Sequence, residues 1–382
     1  MTPSSRYLIT LSKESLQVAR WGEERAIVSK ADPRLLLDEK IILKGSEVSL
    51  AELSQALIDY NQNWLDEFLD ERGQLEVGKY LYQEIFDKIT PYNLTEDGRN
   101  VELRIITKDE DIARLPWTLL AQNDIFLSTM GWAISLTTEP ATVFCELPPR
   151  PKILAVAPQP DKLEPTGAED HLQEMKELLT AADLAYADPD RFKIVIDLPS
   201  FYAELEKQKP DILYYYGHGK GDEQATRLLF ADQQGLVKKT PLPDLAAAFQ
   251  NLPEHERPKL AYINCCQGDS GGLLGVGRQL LPHIPAVVTN RTTAFIDAAR
   301  PQALAFWESL LLKGETPHRA LTATHARLGG LGLTTADIRW MTPVLHCRYD
   351  TWTANPPDPP SRLERDPHWR LKVDRVSQFS KV

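Results

Sequence analysis

The sequence predicts an α/β fold: a mostly parallel sheet flanked by helices, behind an N-terminal α+β lobe. Three observations predict it. After Leu147-Pro148-Pro149-Arg150-Pro151, short apolar runs alternate with amphipathic stretches, the pattern of strands joined through helices. The runs are apolar at nearly every position, as in Ile153–Ala157, which suits strands covered on both faces. Ahead of the prolines, strand and helix patterns follow no such regular alternation. This places an N-terminal lobe at 1–147, an α/β unit at 148–353 and an irregular tail at 354–382.

In the lobe, residues 6–30 alternate apolar and polar in places, which predicts an opening strand or hairpin. Ser49-Leu50-Ala51-Glu52 is a capping-box pattern. Leu53, Leu57, Trp64 and Phe68 follow at helical spacing and predict one helix over 50–70. Residues 77–88 predict a helix and 101–106 a strand. In the second unit, strands are expected at Ile153–Ala157, Phe192–Ile196, Ile212–Tyr216, Leu260–Ile263, Ala286–Thr289 and Met341–Tyr349. Helices are expected at 168–182, Phe201–Lys209, 271–281, 302–313 and 317–328. The last of these opens Thr316-Pro317, a cap followed by proline at the first helical position. The tail carries Pro356-Pro357-Asp358-Pro359-Pro360, then mixed charge. No repeat of fixed period is visible.

Composition narrows the classes. At 382 residues, 42% apolar and 25% charged, the chain has ordinary globular usage. A net charge of −11 argues against a nucleic-acid binder. The four cysteines, Cys145, Cys265, Cys266 and Cys347, form no disulfide framework and predict a reducing compartment. No apolar run approaches ~18 residues, and the first residues lack a signal-peptide layout. The expectation is a cytoplasmic protein with no membrane contact.

In open α/β sheets, sites form at the carboxyl ends of strands. Two polar residues are delivered there. Ile212–Tyr216 runs into Gly217-His218-Gly219, and Leu260–Ile263 runs into Asn264-Cys265-Cys266-Gln267-Gly268. Glycines around the histidine let backbone amides approach a substrate. His218 lies 48 residues before Cys266. The caspase signature Q-A-C-[RQG]-G carries its histidine about 50 residues upstream, and Cys266-Gln267-Gly268 matches its second half.

The chain thereby resembles the CHAT-domain proteases, relatives of caspases, metacaspases and separase. Besides Tyr216-Gly217-His218-Gly219 and Asn264-Cys265-Cys266-Gln267, the resemblance rests on three stretches. These are Leu115-Pro116-Trp117-Thr118-Leu119-Leu120, Ile153–Pro158, and the Leu311-Leu312-Lys313-Gly314 turn with the helix after it. It covers about residues 100–350.

The resemblance implies a caspase-like fold and a cysteine endopeptidase. Cys266 would be the nucleophile and His218 the base and then the acid. The amides of Gly219 and Cys266 would form the oxyanion hole. A thiol of pKa ~8.5 needs such a partner at neutral pH. Related metacaspases carry aspartate where this chain has Asn264, so the resemblance implies a P1 residue that is not strictly basic. Asp211 resembles a second acidic position of that pocket, or else caps a strand after Pro210. Asp269 is a further candidate for the cleft. Asn264 is either pocket wall or turn cap.

The implied partners are a protein substrate and an activating or regulatory protein, within a bacterial regulatory, defence or cell-death module. No cofactor or metal is implied. The competing reading is a catalytically silent scaffold that binds a partner through its cleft or tail; intact His218 and Cys266 count against it.

Blander readings stand beside these. Cys265 is expected in the core, since its side chain points away from that of Cys266 on an extended segment. Zinc held by His218, Cys265, Cys266, His346 and Cys347 lacks the usual ligand spacing. Gly271–Gly277 matches neither phosphate-binding glycine pattern.

Overall fold

The computed structural model describes residues 5–12, 15–21, 27–29, 35–59, 61–87, 101–141, 143–221, 226–265, 275–291, 296–330 and 338–354. The predicted α/β architecture with a large, mostly parallel sheet is what they form. Eleven strands share one sheet. In chain order these are β1 (Ser5–Ser12), β2 (Ser15–Arg20), β3 (Ile27–Ser29), β4 (Val101–Thr107), β5 (Ala133–Thr137) and β6 (Ile153–Val156). Then come β7 (Phe192–Val195), β8 (Ile212–Tyr216), β9 (Leu260–Asn264), β10 (Ala286–Asn290) and β11 (Pro343–Cys347). Their order across the sheet is β7-β6-β8-β9-β10-β11-β5-β4-β1-β2-β3.

Strands β7 to β10 form one parallel block, and β11, β5, β4 and β1 form another. The antiparallel pair β10–β11 is the seam between them. The opening hairpin β1–β2 is antiparallel, as its alternation predicted.

Strand side chains alternate between two faces, which explains the continuous apolar runs. On one face Ile153, Tyr214, Tyr262 and Val288 pack with Leu172 and Met175 of α4 (Ala168–Ala182), and with Phe306 and Trp307 of α8 (Ile296–Trp307). On the other, Leu154, Leu213, Ala261 and Val287 meet Phe201 of α5 (Leu198–Gln208), Phe249 of α6 (Leu242–Gln250) and Val276 of α7 (Val276–Leu280). Each large apolar side chain so covered contributes about 1.5–3 kcal/mol.

The helices start where caps dictate. In the box at Ser49, the Glu52 carboxylate accepts from Ser49 N (2.8 Å) while Ser49 Oγ accepts from Glu52 N (3.1 Å). Such a cap is worth about 1 kcal/mol. The single helix expected over 50–70 is instead α1 (Leu50–Asp59) and α2 (Gln62–Phe68). Asn61 breaks it by capping the second, its Oδ1 accepting from Trp64 N at 3.3 Å. Asp70 starts α3 (Glu71–Tyr82) six residues before the expected helix. The last predicted strand divides likewise: Tyr349–Ala354 leaves β11 and pairs in parallel with Val143–Leu147. Helix α9 (Pro317–Gly330) seats His318 on the second block, where its Nε2 lies 2.8 Å from Ser135 Oγ. Beside it, buried Glu102 bridges Arg6 (2.8 Å) and Arg104 (3.3 Å).

Candidate functional site

Strand β6 is followed in space by β7 on one side and β8 on the other. This is a topological switch point, where open α/β sheets leave a crevice at the carboxyl ends. Three segments meet there: the loop after β6, the turn after β8 and the end of β9.

The loop, Pro158–Gly167, holds three prolines that restrict its backbone. Asp161 N donates to Gly235 O at 2.7 Å. Gly235 belongs to the turn of a three-stranded sheet (Gly219–Gly221, Thr226–Ala231, Val237–Pro241) that follows directly on His218. The sequence did not announce this sheet. Gly219 is therefore the first residue of a strand, partnered with Leu228.

The turn after β8 needs its glycine. A Cβ on Gly217 would lie 2.9 Å from Pro158 Cγ and 3.1 Å from Tyr215 Oη. With hydrogen there, Gly217 N donates to Asn264 O (3.2 Å), tying the end of β8 to the end of β9. His218 is half-buried. Its carbonyl accepts from Leu229 N at 3.0 Å and Tyr215 Oη at 2.8 Å. Its Nε2 lies 2.8 Å from Glu164 O. The backbone on one side and the proline loop on the other thus fix the imidazole. Among the described residues Nδ1 has no hydrogen-bond partner.

Cys265 is 1% exposed and packs in the apolar layer with Ile263 and Val276. Cys266 and Asp269 lie outside the described residues, as do most of the glycine-rich stretch and the tail.

Two of the candidate pocket residues have described surroundings. Asp211 stands at the amino end of β8, roughly 20 Å of strand from His218. Its Oδ2 accepts from Lys152 N at 2.8 Å. Burial raises its pKa, against the opposing pull of that amide and of Lys152. Its carboxylate caps the amino end of the strand, one of the two readings left open for it. Asn264 is 3% exposed. Its Oδ1 accepts from Asn290 Nδ2 (2.8 Å) and its Nδ2 donates to Ala299 O (3.3 Å). Both ends of its amide are thus engaged, one by β10 and one by α8.

Sequence reasoning missed His171. It is fully buried on α4, with Nε2 2.7 Å from Tyr214 Oη and its ring centroid 4.5 Å from that of Tyr216. Burial pushes its pKa down to about 3. Its place in the stripe Ala168, Leu172, Met175, Leu179 would have marked it as core-facing. Among the described residues no three His, Cys, Asp or Glu side chains gather as a metal site, and no helix is long and apolar enough to cross a membrane.

No family model matches the sequence, and no curated protein matches it significantly. Solved structures do. A Saccharomyces cerevisiae separase in complex with securin aligns at 10% identity and TM-score 0.46, over 91% of this chain and 30% of its own. The chain thus spans less than a third of that separase. The Arg-specific cysteine proteinase gingipain R (RGPB) aligns at 10% identity and TM-score 0.43, over 76% and 75% of the two chains. The complex of pro- and mature domains of Porphyromonas gingivalis RgpB aligns at 11% and 0.44, over 76% of each. At these values none of them assigns an activity to this chain.

Proposed function

We propose that the chain is a caspase-like cysteine endopeptidase, with Cys266 as nucleophile and His218 as base and then acid. One observation carries this reading: the Glu164 carbonyl holds His218 Nε2 at 2.8 Å, at the carboxyl end of a strand beside the switch point. A carbonyl can only accept, so in the neutral ring Nε2 carries the proton and Nδ1 the lone pair. An imidazole held in one tautomer by a group that does not titrate is an oriented base.

The neighbouring strand end supports the same reading. The Gly217–Asn264 hydrogen bond joins the two strand ends one residue before His218 and two before Cys266. Buried Cys265 is core, which leaves Cys266 as the reactive member of the pair.

In the reaction, Nδ1 takes the thiol proton and the sulfur bonds to the scissile carbonyl carbon. The C–N bond breaks as the imidazolium protonates the leaving amine, and water then hydrolyses the thioester. The amides of Gly219 and Cys266 receive the oxyanion. Residues 148–353 would be the catalytic unit and 1–147 its lobe. The substrate would be a protein, and a second protein would gate access, in the cytoplasm of a bacterial regulatory or defence module.

The test is incubation of the wild type and Cys266→Ala with a proteome-derived peptide library, with neighbouring gene products added. Cleavage by the wild type alone is expected. Cleavage by neither would overturn the protease in favour of the scaffold.

A further inference from the structure

Gly217-His218-Gly219-Lys220-Gly221 carries glycine at every second position. Side chains alternate between the two faces of a strand, so one face of this stretch bears none. Glycine weakens a strand, and within one it marks a place where a ligand or another backbone comes close. Pro158 accounts for the first glycine. The other two bound the strand Gly219–Gly221.

The hydrogen-bond register shows where their main-chain groups point. Gly217 N donates towards β9, to Asn264 O at 3.2 Å. One residue on, His218 O accepts from Leu229 N on the opposite side, at 3.0 Å. In an antiparallel pair, bonded and non-bonded residues alternate. His218 and Leu229 are bonded, so Gly219 and Gly221, which face Leu228 and Thr226, are not. Their N–H and C=O groups turn away from Thr226–Ala231 and back to the side of β9. Strand β9 has already ended there: Asn264, its last residue, is level with Tyr216. Gly219–Gly221 is the edge of its own sheet, and among the described residues no strand covers that side. A row of main-chain donors and acceptors therefore begins one residue after His218.

We infer that Gly219–Gly221 is the strand on which the substrate docks: an extended stretch of the peptide adds to this edge, main chain to main chain. This rests on the protease reading above, in which Gly219 N–H receives the scissile carbonyl. Gly219 C=O and the N–H and C=O of Gly221 then hold residues beside the scissile bond. Antiparallel pairing engages the N–H groups of P1 and P3, parallel pairing those of P2′ and P4′. The bare glycine face lets the peptide lie close whatever its side chains. The strand thus fixes the substrate's backbone and leaves the choice of sequence to other walls of the cleft.

The experiment uses the full chain and a peptide taken from a site the wild type cleaves. Each backbone amide of that peptide from P4 to P4′, except the scissile one, is replaced in turn by an ester, which removes a single N–H. The series is measured as kcat/KM with the wild type and with Gly221→Pro. Gly221 N–H gives no bond to Thr226–Ala231, so proline there breaks no rung of the sheet. Esters at P1 and P3, or at P2′ and P4′, should each lower kcat/KM about threefold to tenfold, the worth of one hydrogen bond. Esters at the positions between should stay within about twofold. Gly221→Pro should lower kcat/KM of the parent peptide by a similar factor and remove the penalty of the outer ester. The ester series needs only the wild type, so it reports even if Gly221→Pro does not fold. A flat series, or an outer penalty undiminished in Gly221→Pro, would overturn the docking strand alone. A wild type that cleaves no peptide of the library would overturn the protease reading, and this inference with it.

Discussion

Glu164 meets His218 through its main chain, not its carboxylate: the carbonyl oxygen lies 2.8 Å from Nε2. Pro165 follows and restricts Glu164 to extended backbone. The contact thus belongs to the loop, whatever side chain stands at 164. Glu164→Ala should keep kcat/KM within about twofold. Pro165→Gly frees the carbonyl and should lower kcat about tenfold, a typical fraction of what a misplaced general base loses. Peptide-cleavage kinetics on both variants check this; a large loss in Glu164→Ala would mean the carboxylate itself takes part.

Gly217→Ala places a methyl 2.9 Å from Pro158 Cγ. Either the proline loop or the histidine turn must move, and both carry groups of the site. Activity should fall at least ~100-fold, the scale of a 1 Å displacement. The melting temperature should change by only a few degrees. Full activity in this variant would show that the turn tolerates the shift.

The two adjacent cysteines should separate cleanly. Cys265→Ala removes one buried sulfur from the layer around Ile263 and Val276. It should lower stability by about 1 kcal/mol and leave turnover intact, whereas Cys266→Ala should abolish turnover. Denaturant midpoints and cleavage assays on both variants decide it, and loss of turnover in Cys265→Ala alone would reassign the nucleophile.

A steric prediction concerns α7. A Cβ on Gly277 would sit 2.2 Å from His346 Cδ2 in β11, and His346 is wholly buried. Gly277→Ala should destabilise by about 1–3 kcal/mol, as overpacking does. An unchanged denaturant midpoint would contradict the tight fit.

Three buried histidines predict the pH dependence of stability. Burial depresses His171 and His318 to about 3 and His325 to about 4. Their unfolded value is ~6.5. Above that pH they contribute no slope. As pH falls below it these three make the unfolded chain bind up to three more protons than the folded one, and His283, lowered by its partial burial, acts in the same direction. Stability should fall by up to ~4 kcal/mol per pH unit until the folded values are reached. Asp211, whose pKa is raised in the fold, opposes this by at most one proton. Urea denaturation between pH 7 and 4.5 would show a steep decline; a flat profile would refute it.

Strands buried on both faces were legible because nearly every residue in them is apolar, so β6, β8, β9 and β10 were located to within a residue or two. Helices α1 and α2 were merged because Asn61 interrupts a stripe whose apolar spacing continues across it. The sheet from 219 to 241 was missed: Lys220, Lys238 and Lys239 break the alternation that marks a strand. His218 could be picked out by its glycines, but its partner could not, because a main-chain carbonyl leaves no mark in a sequence. Asn264 stayed between pocket wall and turn cap for a related reason: its position two before Cys266 does not show the amide of Asn290, towards which its alternation with Tyr262 along β9 turns it.

The seam between β10 and β11 bears on how the molecule is made. Strand β11 comes from residues 343–347 yet lies between β10 and β5. During translation both halves of the sheet leave the ribosome long before the strand that joins them. Until it arrives, β5 and β10 each present an open edge to other nascent chains, an invitation to aggregation. Closure over such a long sequence separation is slow. A ribosome that stalls before residue 343 therefore releases a chain that contains His218 and Cys266 but lacks the strand that joins the halves. The arrival of β11 is what closes both of these edges at once.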